Sequence, residues 1–134
     1  MPNDILTQHT TFVDGVTSVD SKDNQSWFET LKKLDEQGVN IARLSTAAIG
    51  LGGESGEVED IVKKVLFHGK PWTDELRANL IDEAGDVLWY WQNLCLALNV
   101  DPNDVMLRNI EKLESRYPGG KFSVTRSENR NEDN

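Results

Sequence analysis

Two pairs of acidic residues lie in segments that otherwise have the composition of buried helices. Glu54 and Glu57 form the first pair, and Glu83 and Asp86 form the second. A helix places residues three apart on one face, so each pair directs two carboxylates the same way. The run His68-Gly69-Lys70-Pro71 between the pairs predicts a break that folds the second helix back antiparallel to the first. Four acids that converge between two helices are costly unless a cation lies among them.

An oxygen-rich site of this kind suits a hard divalent cation, and Mg²⁺ or Mn²⁺ fits best. Other metal chemistries fail on spacing. A di-iron bundle uses Glu-x-x-His motifs, and neither His9 nor His68 stands three residues after a Glu. Two distant histidines and one cysteine do not make a zinc site of the usual kinds. The competing interpretation pairs each carboxylate with an Arg or Lys of a neighbouring helix, which would leave no metal site.

Basic and amide side chains accompany the acids at helical spacing. Lys64 follows Glu57 by two turns, and the last predicted helix carries Asn109, Lys112 and Arg116. A lysine at a helix edge is commonly just solvated. Beside an acidic metal cluster, however, such groups are what a triphosphate needs: metal ions for some oxygens and cationic donors for the rest.

Apolar residues that recur every three or four positions predict the helices that hold these side chains. Convincing strand alternation is absent from the sequence, so the predicted class is all-α. One long helix from about Asn40 to Phe67 carries the first acid pair, and another from about Glu75 to Leu98 carries the second. Of the remaining helices, the first is expected to start near Ile5, the second after a cap at Asn24 or Ser26, and the last at Pro102. Thr73 or Asp74 is the expected cap of the helix that carries the second acid pair.

The two central helices have unusual compositions. The first contains Gly50, Gly52, Gly53 and Gly56, which predicts either a kink, close helix packing, or close approach of a ligand or partner helix. On the second, one apolar stripe and one mixed stripe leave little surface suited to water. We therefore expect Glu83 and Asp86 to be half-buried beside Tyr90.

Composition limits the classes of partner and compartment. The chain has 134 residues and a formal net charge of −9, which argues against binding to nucleic acid or an anionic membrane surface. Its longest apolar run, residues 87–100, is short and interrupted by polar residues, so we expect no membrane span. The single Cys95 favours a buried thiol in a reducing cytoplasm. We predict one domain over residues 1–122, with its core at 40–122, and a disordered tail at 123–134.

At its two acid pairs and in its last predicted helix, the chain resembles the MazG-like nucleoside triphosphate pyrophosphohydrolases. This all-α NTP pyrophosphatase group also includes dimeric dUTPases. The family pattern is Glu-x-x-Glu, a spacer of about one helix and a turn, and then Glu-x-x-Asp, which Glu54, Glu57, Glu83 and Asp86 match. The run from Asn109 to Phe122 looks especially similar to short phage and bacterial members.

The resemblance implies an antiparallel helix bundle that hydrolyses a nucleoside triphosphate between its α and β phosphates. By position, the four acids would hold Mg²⁺, and Glu54 or Glu57 would also orient or deprotonate the attacking water. The basic and amide residues would contact phosphate or sugar, in the set Lys64, Asn109, Lys112 and Arg116.

The resemblance also implies a homodimer or a homotetramer built from dimers. The similarity to phage members implies a purine deoxynucleotide such as dGTP as substrate. If the chain is phage-encoded, its expected location is the cytoplasm of the host. The alternative function is a non-catalytic helical oligomerisation or binding module that keeps its carboxylates in salt bridges. A Nudix-type pyrophosphatase is a weaker rival, because its Arg-Glu-containing box is absent from the sequence.

Overall fold

The computed structural model describes residues 4–128, and every regular element in that range is a helix. The all-α prediction is therefore confirmed for the described part of the chain. The α-helices are separated by short connections, the first of which contains a 3₁₀ turn at Val19–Ser21. Their bounds are Ile5–Val16 (α1), Asn24–Glu36 (α2), Ile41–Phe67 (α3), Asp74–Ala97 (α4), Pro102–Arg116 (α5) and Val124–Glu128 (α6).

Local capping chemistry sets where these helices begin. The Thr73 hydroxyl accepts a hydrogen bond from the Leu76 N–H at 3.1 Å and starts α4, as its position before the apolar run predicts. Asp101 caps α5 in the same way, with Pro102 in the first turn. For α2 the expected cap was Asn24 or Ser26. The cap is instead Asp23, whose carboxylate accepts from the Ser26 N–H at 2.8 Å.

The glycine-rich part of α3 does not interrupt the helix. Residues Ile41–Phe67 form one continuous α-helix through Gly50 and Gly56. The helix ends where Gly69 adopts a φ of 68°, a left-handed conformation that glycine takes without a steric penalty.

The chain divides into two compact units at residue 41. In the first unit, Asp20 of the 3₁₀ turn accepts hydrogen bonds from Ser26 and, at 2.7 Å, from Thr30 of α2. These bonds lower the pKa of the Asp20 carboxyl, with the Ser26 hydroxyl as the largest cause. The turn is thereby fastened to the helix that follows it.

The second unit holds α4, α5 and nearly all of α3. Among the described residues the buried apolar side chains are Ala47 of α3 and Leu76 and Cys95 of α4. The expectation of a buried thiol is confirmed, since Cys95 is 2% exposed. Three buried side chains are a small core for a unit of this size, and many large apolar residues remain in contact with solvent.

One face of α4 is both apolar and exposed. Ile81, Leu88, Trp89 and Leu96 recur at helical spacing, and each is more than half exposed. We call these four residues the apolar α4 face. The sequence indicated that α4 has little surface suited to water, yet no described residue of the second unit covers this face.

The tail predicted at residues 123–134 lies only partly within the described residues. Val124–Glu128 forms α6, whereas residues 129–134 of the predicted tail lie outside the described residues. No helix in residues 4–128 combines the length and the apolar character needed to cross a bilayer.

Candidate metal centre

The first acid pair lies in the middle of α3, one turn beyond Gly50. Glu54 is half-buried, whereas Glu57 is exposed. Residues three apart on a helix differ by about 60° around its axis, which is enough to turn Glu57 toward solvent while Glu54 faces a neighbouring helix.

The second acid pair lies near the middle of α4. Glu83 is half-buried, as expected, but Asp86 is exposed rather than half-buried. Trp89 and Tyr90 follow Asp86 by about one turn, and their rings pack edge-on against each other with centroids 4.8 Å apart.

Three of the four acids meet between α3 and α4. One carboxylate oxygen from each of Glu54, Glu83 and Asp86 can be chosen so that all three lie within 4.8 Å of one another. Glu57 is not part of this group, although its charge helps to raise the pKa of Glu83. We call Glu54, Glu83 and Asp86 the carboxylate cluster.

The electrostatics of the cluster suit a cation. The pKa of the Glu83 carboxyl is raised, first by its partial burial and then by the charges of Glu54, Glu57, Asp86 and Asp82. A raised carboxyl pKa means that this environment destabilises the ionised form of the Glu83 side chain. Ion pairs in the described chain join other acids to lysines, and none involves these residues.

The donor set fits a hard divalent ion. Mg²⁺ takes oxygen ligands at 2.0–2.1 Å in an octahedral arrangement and keeps several waters. Two or three carboxylates leave open the positions that phosphate oxygens would take. Because the oxygens of Glu54, Glu83 and Asp86 already lie within 4.8 Å of one another, small side-chain adjustments bring them within reach of one ion.

Lys64, a candidate for phosphate contact, is held on its own helix. Its ammonium group forms an ion pair with Asp60 one turn earlier, and Lys63 joins the same carboxylate at 2.7 Å. The two lysines lower the pKa of Asp60 to about 2. Asp60 and, more weakly, Glu57 raise the pKa of Lys64. To reach a phosphate, Lys64 would have to leave Asp60. The spacing of four residues between an acid and a lysine is the sequence signal for this pair.

The other candidates for substrate contact lie along α5. Asn109 and Lys112 are exposed, and Arg116 is half-buried in the last turn. In the described chain no hydrogen bond or ion pair joins these side chains to the carboxylate cluster. Their roles therefore remain predictions.

Comparison with known proteins agrees with this arrangement. Residues 43–120 match the MazG nucleotide pyrophosphohydrolase domain, a stretch that contains all four acids and is more than half of the chain. The chain belongs to the MazG family. The resemblance found from the acid pairs and the C-terminal run is thus confirmed, and with it a family of nucleotide pyrophosphohydrolases that usually depend on a divalent metal.

A phage protein is among the relatives of this MazG-family chain. The Gene 37 protein of Mycobacterium phage L5 is 42% identical over 82 residues, which are 60% of this chain and 72% of that protein. The match is consistent with a short, single-domain phage type. No solved structure matches the chain.

Proposed function

We propose that this MazG-family chain is a Mg²⁺-dependent pyrophosphohydrolase that converts a nucleoside triphosphate to the monophosphate and pyrophosphate. The observation that carries the proposal is the carboxylate cluster, in which three acids at the motif positions of the family lie within 4.8 Å of one another. Mn²⁺ is a second candidate ion, because it accepts the same oxygen ligands.

The roles of the acids follow from where they stand. Glu54, Glu83 and Asp86 would hold the ion, with the exposed Glu57 beside them as a fourth ligand. When bound, the ion would neutralise phosphate oxygens and polarise the bond to be cut. Glu54 or Glu57 would orient a water toward the α-phosphorus and accept its proton. The new bond joins the water oxygen to that phosphorus, and the bond to the bridging oxygen breaks, releasing pyrophosphate.

The remaining candidate residues would bind the rest of the substrate. Lys112 and Arg116 offer positive charge to phosphate oxygens, and Asn109 offers an amide to phosphate or sugar. Lys64 would contribute after exchanging Asp60 for a phosphate oxygen. As substrate we propose a deoxynucleoside triphosphate, with dGTP as the first to test, and as location the cytoplasm, which is the host's cytoplasm if the chain is phage-encoded. This choice rests on the similarity to short phage members.

We also propose that the working unit contains at least two copies of the chain, as a dimer or a dimer of dimers. The support is the small core of the second unit together with the exposed apolar α4 face. A helix that is apolar on nearly every side is normally covered on every side. Homodimer interfaces resemble a domain core cut in half. The apolar α4 face consists of large apolar side chains of the kind found in such interfaces.

The deciding experiment is a product assay with Mg²⁺ on a panel of ribo- and deoxynucleoside triphosphates in ¹⁸O-labelled water. Monophosphate that carries the label, together with unlabelled pyrophosphate, is the expected result. Glu83→Gln should abolish turnover, whereas Glu59→Gln, which removes an exposed acid of α3 outside the cluster, should keep it. Diphosphate with phosphate would contradict the proposed bond cleavage. No turnover of any substrate would favour the alternative, a non-catalytic oligomerisation or binding module.

A further inference from the structure

The four glycines of α3 differ in what surrounds them. A β-carbon added at Gly50 would lie 2.0, 2.1 and 2.4 Å from three ring carbons of Tyr90. A β-carbon added at Gly52, Gly53 or Gly56 would meet nothing within 4 Å among the described residues. The ring of Tyr90 therefore occupies the place of a side chain at position 50, and it does so at this glycine alone of the four.

This contact lies beside the carboxylate cluster. Gly50 is one turn before Glu54 on α3, and Tyr90 is one turn after Asp86 on α4. Because position 50 meets position 90 while position 54 meets position 86, the two helices run antiparallel here. Four residues correspond to about 6 Å along a helix axis and return to nearly the same face. The contact and the cluster are thus neighbours along one helix–helix seam.

We propose that the Gly50–Tyr90 contact is a spacer that sets the separation of α3 and α4 at the carboxylate cluster. Gly50 and Tyr90 are then positioning residues for the ion site, an inference that rests on the metal binding proposed above. Glycine lets the backbone of α3 lie directly against the ring, and the ring in turn prevents the helices from closing further.

The distances show why the separation matters. Two oxygens on one Mg²⁺ ion can be no more than about 4.2 Å apart, twice the ligand distance. The oxygens of the carboxylate cluster lie within 4.8 Å of one another, so only small side-chain movements separate them from a shared ion. A methyl group at position 50 must retreat from 2.0 Å to at least 3.4 Å from the ring to reach ordinary contact. If the helices take up that shift of 1.4 Å, the acids of α3 and α4 no longer share one ion.

The ring of Tyr90 makes a second contact, with its neighbour in sequence. Trp89 packs edge-on against Tyr90, with an interplanar angle of 90° and centroids 4.8 Å apart. The close atoms are ring carbons, two of them on one edge of the ring. Phenylalanine at position 90 would therefore make the same contact, because the hydroxyl takes no part in it.

The test measures Mn²⁺ affinity by calorimetry, independently of turnover, in matched glycine variants of the full chain. Gly50→Ala should weaken Mn²⁺ binding about 10- to 100-fold, the range seen when groups that orient metal ligands are changed. Gly52→Ala is the control, since it adds the same methyl to the same helix in open space. It should leave Mn²⁺ affinity unchanged. Tyr90→Phe should also leave Mn²⁺ affinity unchanged.

A double-mutant cycle completes the test. Tyr90→Ala in the Gly50→Ala background should recover Mn²⁺ affinity to the level of Tyr90→Ala alone, because the methyl then has room. If Gly50→Ala does not fold, as judged by circular dichroism, Tyr90→Trp applies the same push from α4 and should lower Mn²⁺ affinity similarly. Unchanged Mn²⁺ affinity in the folded variant would overturn the spacer.

The outcomes separate this inference from the proposed function. Wild-type protein that binds Mn²⁺ but turns over no nucleotide would refute the hydrolase and leave the spacer standing. Turnover in wild-type protein with equal Mn²⁺ affinity in Gly50→Ala would refute the spacer and leave the hydrolase standing. Absence of Mn²⁺ binding by the wild-type protein would overturn both.

Discussion

Replacing Leu88 with serine should weaken the association of two copies without unfolding either. Leu88 lies at the centre of the apolar α4 face and is 58% exposed in the single chain. If a second copy covers this face, the substitution removes apolar contact from the interface while removing little from the chain's own core. The control is Leu98→Ser, since Leu98 is 60% exposed but is the residue that follows α4 and does not belong to this face.

The size of the effect follows from the exposed fraction. Complete burial of a leucine side chain is worth about 1.5–3 kcal/mol. The exposed 58% of Leu88 can therefore contribute about 1–1.7 kcal/mol per copy when a partner covers it. A two-fold symmetric interface contains the residue twice, which gives about 2–3.4 kcal/mol per dimer and a rise in dissociation constant of roughly 30- to 300-fold.

Sedimentation equilibrium over a concentration series measures this directly. Wild-type protein should remain associated at low micromolar concentration, Leu88→Ser should dissociate there, and Leu98→Ser should follow the wild type. Circular dichroism at the same concentrations checks that each variant keeps its helices. A wild-type chain that is monomeric at micromolar concentration, or a Leu88→Ser variant that associates normally, would refute the assignment of a second copy to this face.

Three further predictions concern charge. Glu83→Gln should raise the melting temperature in EDTA at pH 7, because a carboxyl whose pKa is raised in the folded state destabilises that state once ionised. The same variant should lose the Mg²⁺-dependent rise in melting temperature that the wild type and Glu59→Gln show. Its turnover should fall by roughly 100-fold or more. Lys112→Ala should raise KM for the triphosphate about tenfold, the value of one charged hydrogen bond, with Mn²⁺ affinity unchanged in calorimetry. Asp20→Asn should lower the melting temperature at pH 7, because it removes the charge that accepts from Ser26 and Thr30. The control is Asp35→Asn, which changes an exposed acid of α2 and should not lower the melting temperature. The folded-state pKa of Asp20 lies below its ordinary value of 3.8, so its stabilisation is complete above that pH and is lost as pH falls through the folded pKa. The wild type and the Asn variant should then converge in melts at strongly acidic pH.

The helices were largely predictable because their signals are local. The apolar periodicity, the cap at Thr73 and the left-handed Gly69 place the ends of α3 and α4 within a residue or so of where they lie. The error at α2 is of the same local kind. Asp23, Asn24 and Ser26 are all favourable caps, and which one accepts the bond depends on the backbone that enters the helix.

The candidate site was predictable in composition but not in detail. Sequence reasoning named four acids, and the structure gathers Glu54, Glu83 and Asp86 while leaving Glu57 exposed beside them. It also left open whether Lys64 is a solvated lysine or a phosphate ligand. The ion pair with Asp60 shows where its ammonium group rests, which the spacing alone indicates only as one option.

The sequence by itself determined the all-α class, the order and ends of the main helices, the family, and which turns of α3 and α4 carry acids. These features depend on residues a few positions apart, so they are written in periodicity, caps and motif spacing. Only the tertiary structure decided which acids meet, that Gly50 alone of the four glycines of α3 receives the ring of Tyr90, and that the side chains of the apolar α4 face stay exposed. Those features depend on the distance and rotation between two helices, which arise from packing between residues about 30 to 40 positions apart.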